Sequence, residues 1–414
     1  MRILFVVHQF FPQWYTGTER FVLNLCKQLQ RMGHFVEVLT YGYGDESGFS
    51  FQENACIKKY SFQNVPVIAV KHLNPPDSQT MSFTIFDETL EPLFNTIVSK
   101  NKYDIVHIAH PFRCGTAIQS SRNNKIPILL TLTDFWMVCP KAIGITQKGE
   151  LCLTSDNGKK CVICCYSEEH SDLIFKRFET AGTILNEVDL CTTSTSFLKS
   201  VIQNNYPSSK VKVIRFGKDY TNIQGNHKMY FKDSIITIGF LSTLQPHKGA
   251  HILIEAFNKL NPHNIKLKIY GHYFDHAEYF KNLKDLADGK QIEFCNAYKY
   301  EDFQKIFDEL DLVIVPSIWW ENSPLVLLRS LAHHVPAIVS DLEGMTEIIK
   351  DGENGFVFEV GNIDSLAEVL RSIENDPTIL NKLKSQITYP KRIEEEAFEY
   401  EKLYRELVKN NHPQ

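Results

Sequence analysis

The sequence predicts an α/β protein of two domains, each a parallel sheet flanked by helices. Three observations carry this. The chain has 414 residues, more than one hydrophobic core usually supports, with 43% hydrophobic and 22% charged residues. Short apolar runs, of the kind a strand buried on both faces requires, alternate with amphipathic helical stretches along the chain. One stretch, Asp311 to Asp341, shows the complete unit. It has an apolar run Leu312–Val315, a break at Pro316-Ser317, and the loop Trp319-Trp320-Glu321-Asn322-Ser323-Pro324. A helix from about Leu325 to His333 follows, then a second apolar run, Ala337–Ser340, beyond Pro336. In open parallel sheets a ligand sits outside the carboxyl ends of the strands, against helix N-termini whose free N–H groups favour anions. Glu321 and Asn322 fall at such a point.

Composition narrows the function classes. A net charge of −5 gives no general reason to expect nucleic-acid binding. No apolar run is long enough for a signal peptide or a membrane span, so the expectation is a cytoplasmic protein, at most peripheral to the inner face of a membrane. In that compartment the ten cysteines stay reduced.

Taken in order, Arg2–Val7 reads as a first buried strand, and His8-Gln9-Phe10-Phe11-Pro12 begins a loop ending Thr16-Gly17-Thr18-Glu19. A helix then carries Phe21, Val22, Leu25, Cys26, Leu29 and Met32 on one face and stops at Gly33, before a strand Phe35–Leu39. Residues 83–99 suggest a helix kinked or restarted at Pro92, with strands following at Tyr103–Ile108 and Pro127–Leu132. His107 and His110 close the first of these strands, and Thr133-Asp134 the second. Leu173–Val188 predicts a helix, Leu190–Ser194 a strand, residues from about Thr195 a helix, and Val211–Phe216 the last strand of this half. The polar run Thr221–Asp233 reads as a linker. A second half opens with the strand Ser234–Leu241 and the loop Ser242-Thr243-Leu244-Gln245-Pro246-His247-Lys248-Gly249. Lys248 and Gly249 at a helix start make a phosphate cradle. Strands at Ile265–Tyr270 and Ile292–Phe294 continue the alternation, with helices at 300–310 and 363–373 and a final helix at 392–408.

These motifs, in this order, resemble glycosyltransferases of family 4, retaining enzymes with two Rossmann-like domains facing a cleft (the GT-B fold) and a C-terminal helix crossing back to the N-terminal domain. The resemblance divides the chain into residues 1–218 on the acceptor side, 219–390 on the donor side, and the returning helix 391–414. It implies a nucleotide sugar as donor substrate, a saccharide or lipid-linked acceptor, no catalytic divalent metal and no nucleic-acid partner. It assigns Lys248 to the donor diphosphate and Glu321 to hydroxyls of the donor sugar. Gly17, Ser242, Thr243, Gly249, Asn322, Ser323, Pro324, Leu325, Arg329 and Gly344 are the further donor-binding positions. On the acceptor side it implies His107, His110, Thr133 and Asp134. Five positions depart from the family pattern. Thr16 replaces the first glycine of the N-terminal loop, Thr133 a histidine, Thr243 an arginine, Glu343 the glycine before Gly344, and Arg329 a second glutamate that follows the first with seven residues between them. Arg cannot accept hydrogen bonds from ribose hydroxyls as that glutamate does, but it could supply the positive charge lost at Thr243.

Five cysteines cluster as C-x12-C-x8-C-x2-C with one directly after: Cys139, Cys152, Cys161, Cys164 and Cys165. The spacing suits a structural zinc ion on Cys139, Cys152, Cys161 and Cys164, with Cys165 as the alternative ligand. The loop looks too polar to hold itself by a core, so a metal would supply what packing cannot. Incidental reduced thiols and a redox or iron–sulfur role stay open. For the whole chain the expected function is sugar transfer, most commonly in cell-surface polysaccharide or glycoconjugate synthesis. A catalytically inactive homologue that scaffolds another transferase is the alternative, marked by Thr133, Thr243 and Arg329. A nucleotide-sugar epimerase of the same two-domain shape is a third class and would not explain the cysteine loop.

Overall fold

The computed structural model describes residues 1–411 except 43–46, 53, 153, 222, 274–275, 288–290 and 296. The chain forms two compact units, Met1–Gly217 together with Lys391–Gln414, and Lys218–Pro390.

The first unit contains β1 (Arg2–Val7), β2 (Phe35–Tyr41), β3 (Ser50–Gln52), β4 (Ala55–Phe62), β5 (Val65–His72), β6 (Ile105–Ile108), β7 (Ile128–Leu132), β8 (Leu190–Thr193) and β9 (Val211–Val213). They lie side by side as β3-β4-β5-β2-β1-β6-β7-β8-β9. All neighbours are parallel except the β3–β4 and β4–β5 pairs. The central strands β1, β6 and β7 are mostly apolar and, apart from Arg2, enclosed on both faces, which is why four or five residues each suffice to define β6 and β7. The final helix, Ile393–Asn411, belongs to this unit and buries Ile393, Ala397, Tyr400, Leu403 and Tyr404.

Three features of this unit depart from the sequence expectation. The edge meander β3–β5 escaped it, because β4 alternates only along its second half, from a half-buried Lys58 and an exposed Lys59 onward. The helix expected over 83–99 is two helices, Ser78–Phe83 and Glu91–Lys100. Pro92 sits in the first turn of the second, where a missing N–H costs no intrahelical bond. The helix Thr116–Asn123 was also not anticipated; only Thr116, Ala117, Ile118, Ser120 and Ser121 on it are buried, too short and polar a stripe to show a period.

The second unit contains β10 (Ile236–Leu241), β11 (Ile265–Tyr270), β12 (Ile292–Cys295), β13 (Leu312–Val315), β14 (Ala337–Ser340) and β15 (Gly355–Phe358), all parallel, in the order β12-β11-β10-β13-β14-β15. Asp311, 1% exposed, anchors the centre of this sheet. It accepts hydrogen bonds from the Thr237 N–H (2.8 Å), Lys228 Nζ (2.7 Å) and the Tyr230 hydroxyl (3.0 Å), so its buried charge is compensated. Among the described residues no helix is long and apolar enough to cross a membrane.

Candidate active site

In the second unit β11 flanks β10 on one side and β13 on the other, so the winding reverses between β10 and β13. Such a reversal opens a crevice at the carboxyl ends of the strands. Two loops meet there. The first, after β10, makes a single tight turn, Pro246–Lys248, closed by Gly249. Gly249 has φ +75°, and a Cβ on it would stand 1.8 Å from the Pro316 carbonyl oxygen at the end of β13. Only glycine permits this approach of backbone to backbone. The Ile318 N–H then donates to the His247 carbonyl (3.0 Å), tying the two loops together.

This packing sets the chemistry of the crevice. Lys248 Nζ donates to Glu321 Oε1 at 2.7 Å, and the same oxygen accepts from Ser317 Oγ and Trp319 Nε1, both at 2.9 Å. Lys248 Nζ also lies 4.3 Å from the centroid of the Trp319 ring. Gly344 is the second residue of the short helix Glu343–Thr346, directly behind Glu321. A Cβ there would stand 1.6 Å from the Glu321 carbonyl oxygen and 3.0 Å from that of Asn322. Asn322 is buried, Ser323 is half-buried, and Pro324 precedes the helix Leu325–Ala332, whose N-terminus has no side-chain cap. Ser242 and Thr243 follow β10, with the Ser242 N–H bonded to the Tyr270 carbonyl (3.2 Å). Arg329, on the second turn of the helix Leu325–Ala332, is 6% exposed, and its guanidinium carbon lies 3.4 Å from the centroid of the Phe303 ring.

The first unit has a second reversal, between β1 and β6. His8 follows β1 and His110 follows β6, and their rings lie 4.2 Å apart. His110 Nδ1 accepts from the Phe112 N–H (3.1 Å), so its proton is on Nε2 and is donated to Asp134 Oδ2 (3.1 Å). Asp134 Oδ1 accepts from the Trp136 N–H (2.8 Å). Thr133 Oγ1 accepts from Thr18 Oγ1 (2.9 Å), near the start of the helix Gly17–Arg31. Glu19 on that helix is fully buried and takes a bond from Thr16 Oγ1 (2.6 Å) on Oε2, while Oε1 has no hydrogen-bond partner among the described residues. Burial pushes its carboxyl up, against the opposing pull of that hydroxyl. Burial, together with the neighbouring His110 and Arg113, pushes His8 well down, and its Nδ1 is likewise without a partner.

His107 is placed differently. It is fully enclosed, with Nδ1 2.6 Å from the Tyr404 hydroxyl and Nε2 2.6 Å from Thr131 Oγ1, and burial pushes it down to about 3. It is a neutral brace between the sheet and the final helix, not a group presented to an acceptor. His107→Ala is therefore expected to lower stability by about 2 kcal/mol or more, read from denaturant melts, and to leave the pH profile of activity between pH 5 and 8 unmoved.

Two family models match the chain: one described as Glycosyltransferase Family 4, over residues 15–220, and one described as Glycosyl transferases group 1, over residues 227–392. The chain belongs to glycosyltransferase family 4. A glycosyltransferase of uncharacterised activity from Methanocaldococcus jannaschii, MJ1607, is 26% identical over 89% of this chain and 87% of its own length. The N-acetyl-alpha-D-glucosaminyl L-malate synthase of Bacillus anthracis is 21% identical over 95% of this chain and 94% of its own. Among solved structures, sucrose-phosphate synthase from Thermosynechococcus elongatus superposes with a TM-score of 0.74 at 13% identity, covering 99% of both chains. Anabaena HepE in complex with UDP and glucose superposes at 0.70 with 16% identity, covering 98% of this chain and all of the other. The fold is that of the GT-B glycosyltransferases.

For a family 4 chain, the cysteine loop is where expectation and structure part. All ten cysteines are unbridged, and among the described residues no three His, Cys, Asp or Glu side chains are grouped as metal ligands. The zinc expectation is corrected accordingly. Its premise also fails, because the loop does have a small core: Cys161 is buried with Phe83, Ile174 and Phe178, and Val162, Tyr166 and Leu173 pack against them. Burial, reinforced by the neighbouring Cys139, Cys165 and Cys152, pushes the Cys161 thiol up to about 12. Arg177 lies buried beside this loop, donating to the Trp136 carbonyl with its guanidinium stacked on the Trp136 ring.

Sequence reasoning singled out Lys248, Gly249, Glu321, Asn322 and Gly344, and the structure brings them together. It missed His8, Glu19, Ser317 and Trp319. His8 and Glu19 could have been found, since each directly follows a strand or opens a helix at the first βα turn. Trp319 could not, because its value lies in meeting Lys248, which is remote in sequence.

Proposed function

We propose that this chain moves a sugar from a nucleotide-sugar donor to a saccharide or lipid-linked acceptor with retention at the anomeric carbon. On this reading residues 219–390 hold the donor, residues 1–218 receive the acceptor, and the helix within 391–414 braces the acceptor side. The observation that carries it is the convergence of Lys248 Nζ and Glu321 Oε1, 2.7 Å apart, at the strand ends where the second sheet reverses. In the transfer, the bond from the anomeric carbon to the diphosphate breaks and its electron pair leaves with the phosphate. Lys248 is the cation that meets this developing charge, and the uncapped helix N-terminus at Leu325 follows the Glu321 loop in the chain. Glu321 accepts hydrogen bonds from donor-sugar hydroxyls and so fixes the ring. The acceptor oxygen bonds to the anomeric carbon on the face the phosphate leaves, and its proton passes to the departing phosphate oxygen. His110, oriented by Asp134, and His8 are the polar groups offered to the acceptor, with the buried Glu19 behind His8. The imidazole of His110 stands in for the one missing at Thr133. Arg329 contributes its charge to the nucleotide from the helix side.

The setting proposed is cell-surface polysaccharide or glycoconjugate synthesis. Because the HepE structure holds UDP and glucose, uridine donors come first in the test. Calorimetry with UDP, GDP, ADP and their sugar conjugates is expected to show micromolar binding of one nucleotide, weakened at least about 30-fold by Lys248→Ala. Absence of binding across the panel would replace this reading with that of an inactive homologue serving another transferase. Arg329→Ala is expected to weaken the same nucleotide by about 10-fold, and an unchanged affinity would remove Arg329 from the donor site.

A further inference from the structure

We propose that Trp319 is the positioning residue of the donor crevice: its indole N–H and its ring face fix Glu321 and Lys248 relative to one another, so that Glu321 Oε2 is the atom that accepts from the donor sugar. The inference rests on the transferase reading above. Its ground is the way the bonds to Glu321 are distributed. Three donors, Lys248 Nζ, Ser317 Oγ and Trp319 Nε1, all end on Oε1, at 2.7, 2.9 and 2.9 Å. Oε2 receives none among the described residues. A carboxylate oxygen that already accepts three bonds has no lone pair left for a hydroxyl, whereas its twin has two. One oxygen is thus committed to orienting the group and the other is left for a ligand.

Trp319 is suited to this in a way that Ser317 is not, because it touches both partners. Lys248 Nζ sits 4.3 Å from its ring centroid, within the range in which an aromatic face attracts a cation. His247, the neighbour of Lys248 in sequence, meets the same ring edge-on with centroids 5.0 Å apart. The indole therefore lies between the lysine loop and the glutamate loop, one rigid ring with its face toward the cation and its N–H toward the carboxylate. A phenylalanine would keep the face and lose the N–H. An alanine would lose both.

That separation supplies the test. Trp319→Phe and Trp319→Ala are compared with wild type for binding of the nucleoside diphosphate found in the calorimetric panel and of its sugar conjugate. In Trp319→Phe the diphosphate is expected to bind within about 2-fold of wild type, while the sugar conjugate weakens by about 10-fold, because only the sugar reports on Glu321. In Trp319→Ala the diphosphate itself is expected to weaken by about 5-fold as Lys248 loses its platform. Equal weakening of diphosphate and conjugate in Trp319→Phe would overturn the inference, since a residue that merely filled space would loosen both alike. No change in either ligand would overturn it as well. Failure of wild type to bind any nucleotide is a different result, and would fall on the transferase reading itself.

Discussion

Gly344→Ala is expected to abolish donor binding while leaving the first unit intact. The added Cβ would stand 1.6 Å from the carbonyl oxygen of Glu321 and 3.0 Å from that of Asn322, and neither is the movable end of a side chain. Relief requires either the helix Glu343–Thr346 or the 321–322 backbone to shift by more than an ångström. The second shift would carry Glu321 away from Lys248, Ser317 and Trp319 together. A misplacement of that size in a preorganised site typically costs about 100-fold or more. Overpacking of backbone against backbone adds a stability loss of about 3 kcal/mol. The check is calorimetry with the nucleotide that binds wild type, beside urea melts of both proteins. Wild-type affinity in a folded Gly344→Ala chain would show that the approach of these two backbones is dispensable.

Replacing Glu396 by glutamine is expected to stabilise the protein at pH 8 and to change little at pH 5. Glu396 lies on the final helix, 1% exposed, where Oε2 accepts from the Gly217 N–H (2.8 Å) and Oε1 has no partner among the described residues. Burial pushes its carboxyl up to about 8, with Glu399 adding to the rise and the Gly217 N–H and Lys391 opposing it. The folded state therefore holds a proton that the unfolded chain releases at its ordinary carboxylate pKa. Below that ordinary value both states are protonated and nothing is lost. As pH rises from about 4.5 to about 8, stability falls, and above about 8 the loss is complete. The ceiling on that loss is roughly 4–5 kcal/mol. Glutamine keeps an acceptor for Gly217 and has no proton to lose. Thermal melts should give closely matched Tm values at pH 5 and a higher Tm for Glu396→Gln at pH 8. A difference that stayed constant with pH would show that Glu396 titrates in the folded protein as it does in water.

The elements of the two sheets were legible in the sequence because each is encoded over a few neighbouring residues. Apolar runs such as Leu312–Val315 and Ala337–Ser340, with a proline between helix and strand, define a buried parallel strand without reference to anything distant. The same holds for Lys248-Gly249 and for Glu321-Asn322, whose positions at strand ends follow from the alternation itself. The expectation for the cysteines failed for a related reason. Spacing specifies which thiols could meet, and the packing of Cys161 with Ile174 and Phe178 decided that this one is held as part of a small core.

What the sequence determined by itself was therefore the alternation of strands and helices, and the family. The tertiary structure alone decided which side chains meet. His107 became a brace because Tyr404, 297 residues away, closes over it. Trp319 became a platform because a loop 73 residues from Glu321 delivers Lys248 onto it. The physical reason is the range of the forces. Backbone hydrogen bonding and hydrophobic periodicity act over one or two turns and leave their mark in adjacent residues. A hydrogen bond or a cation on an aromatic face depends on a meeting of distant segments, whose coordinates no local pattern records.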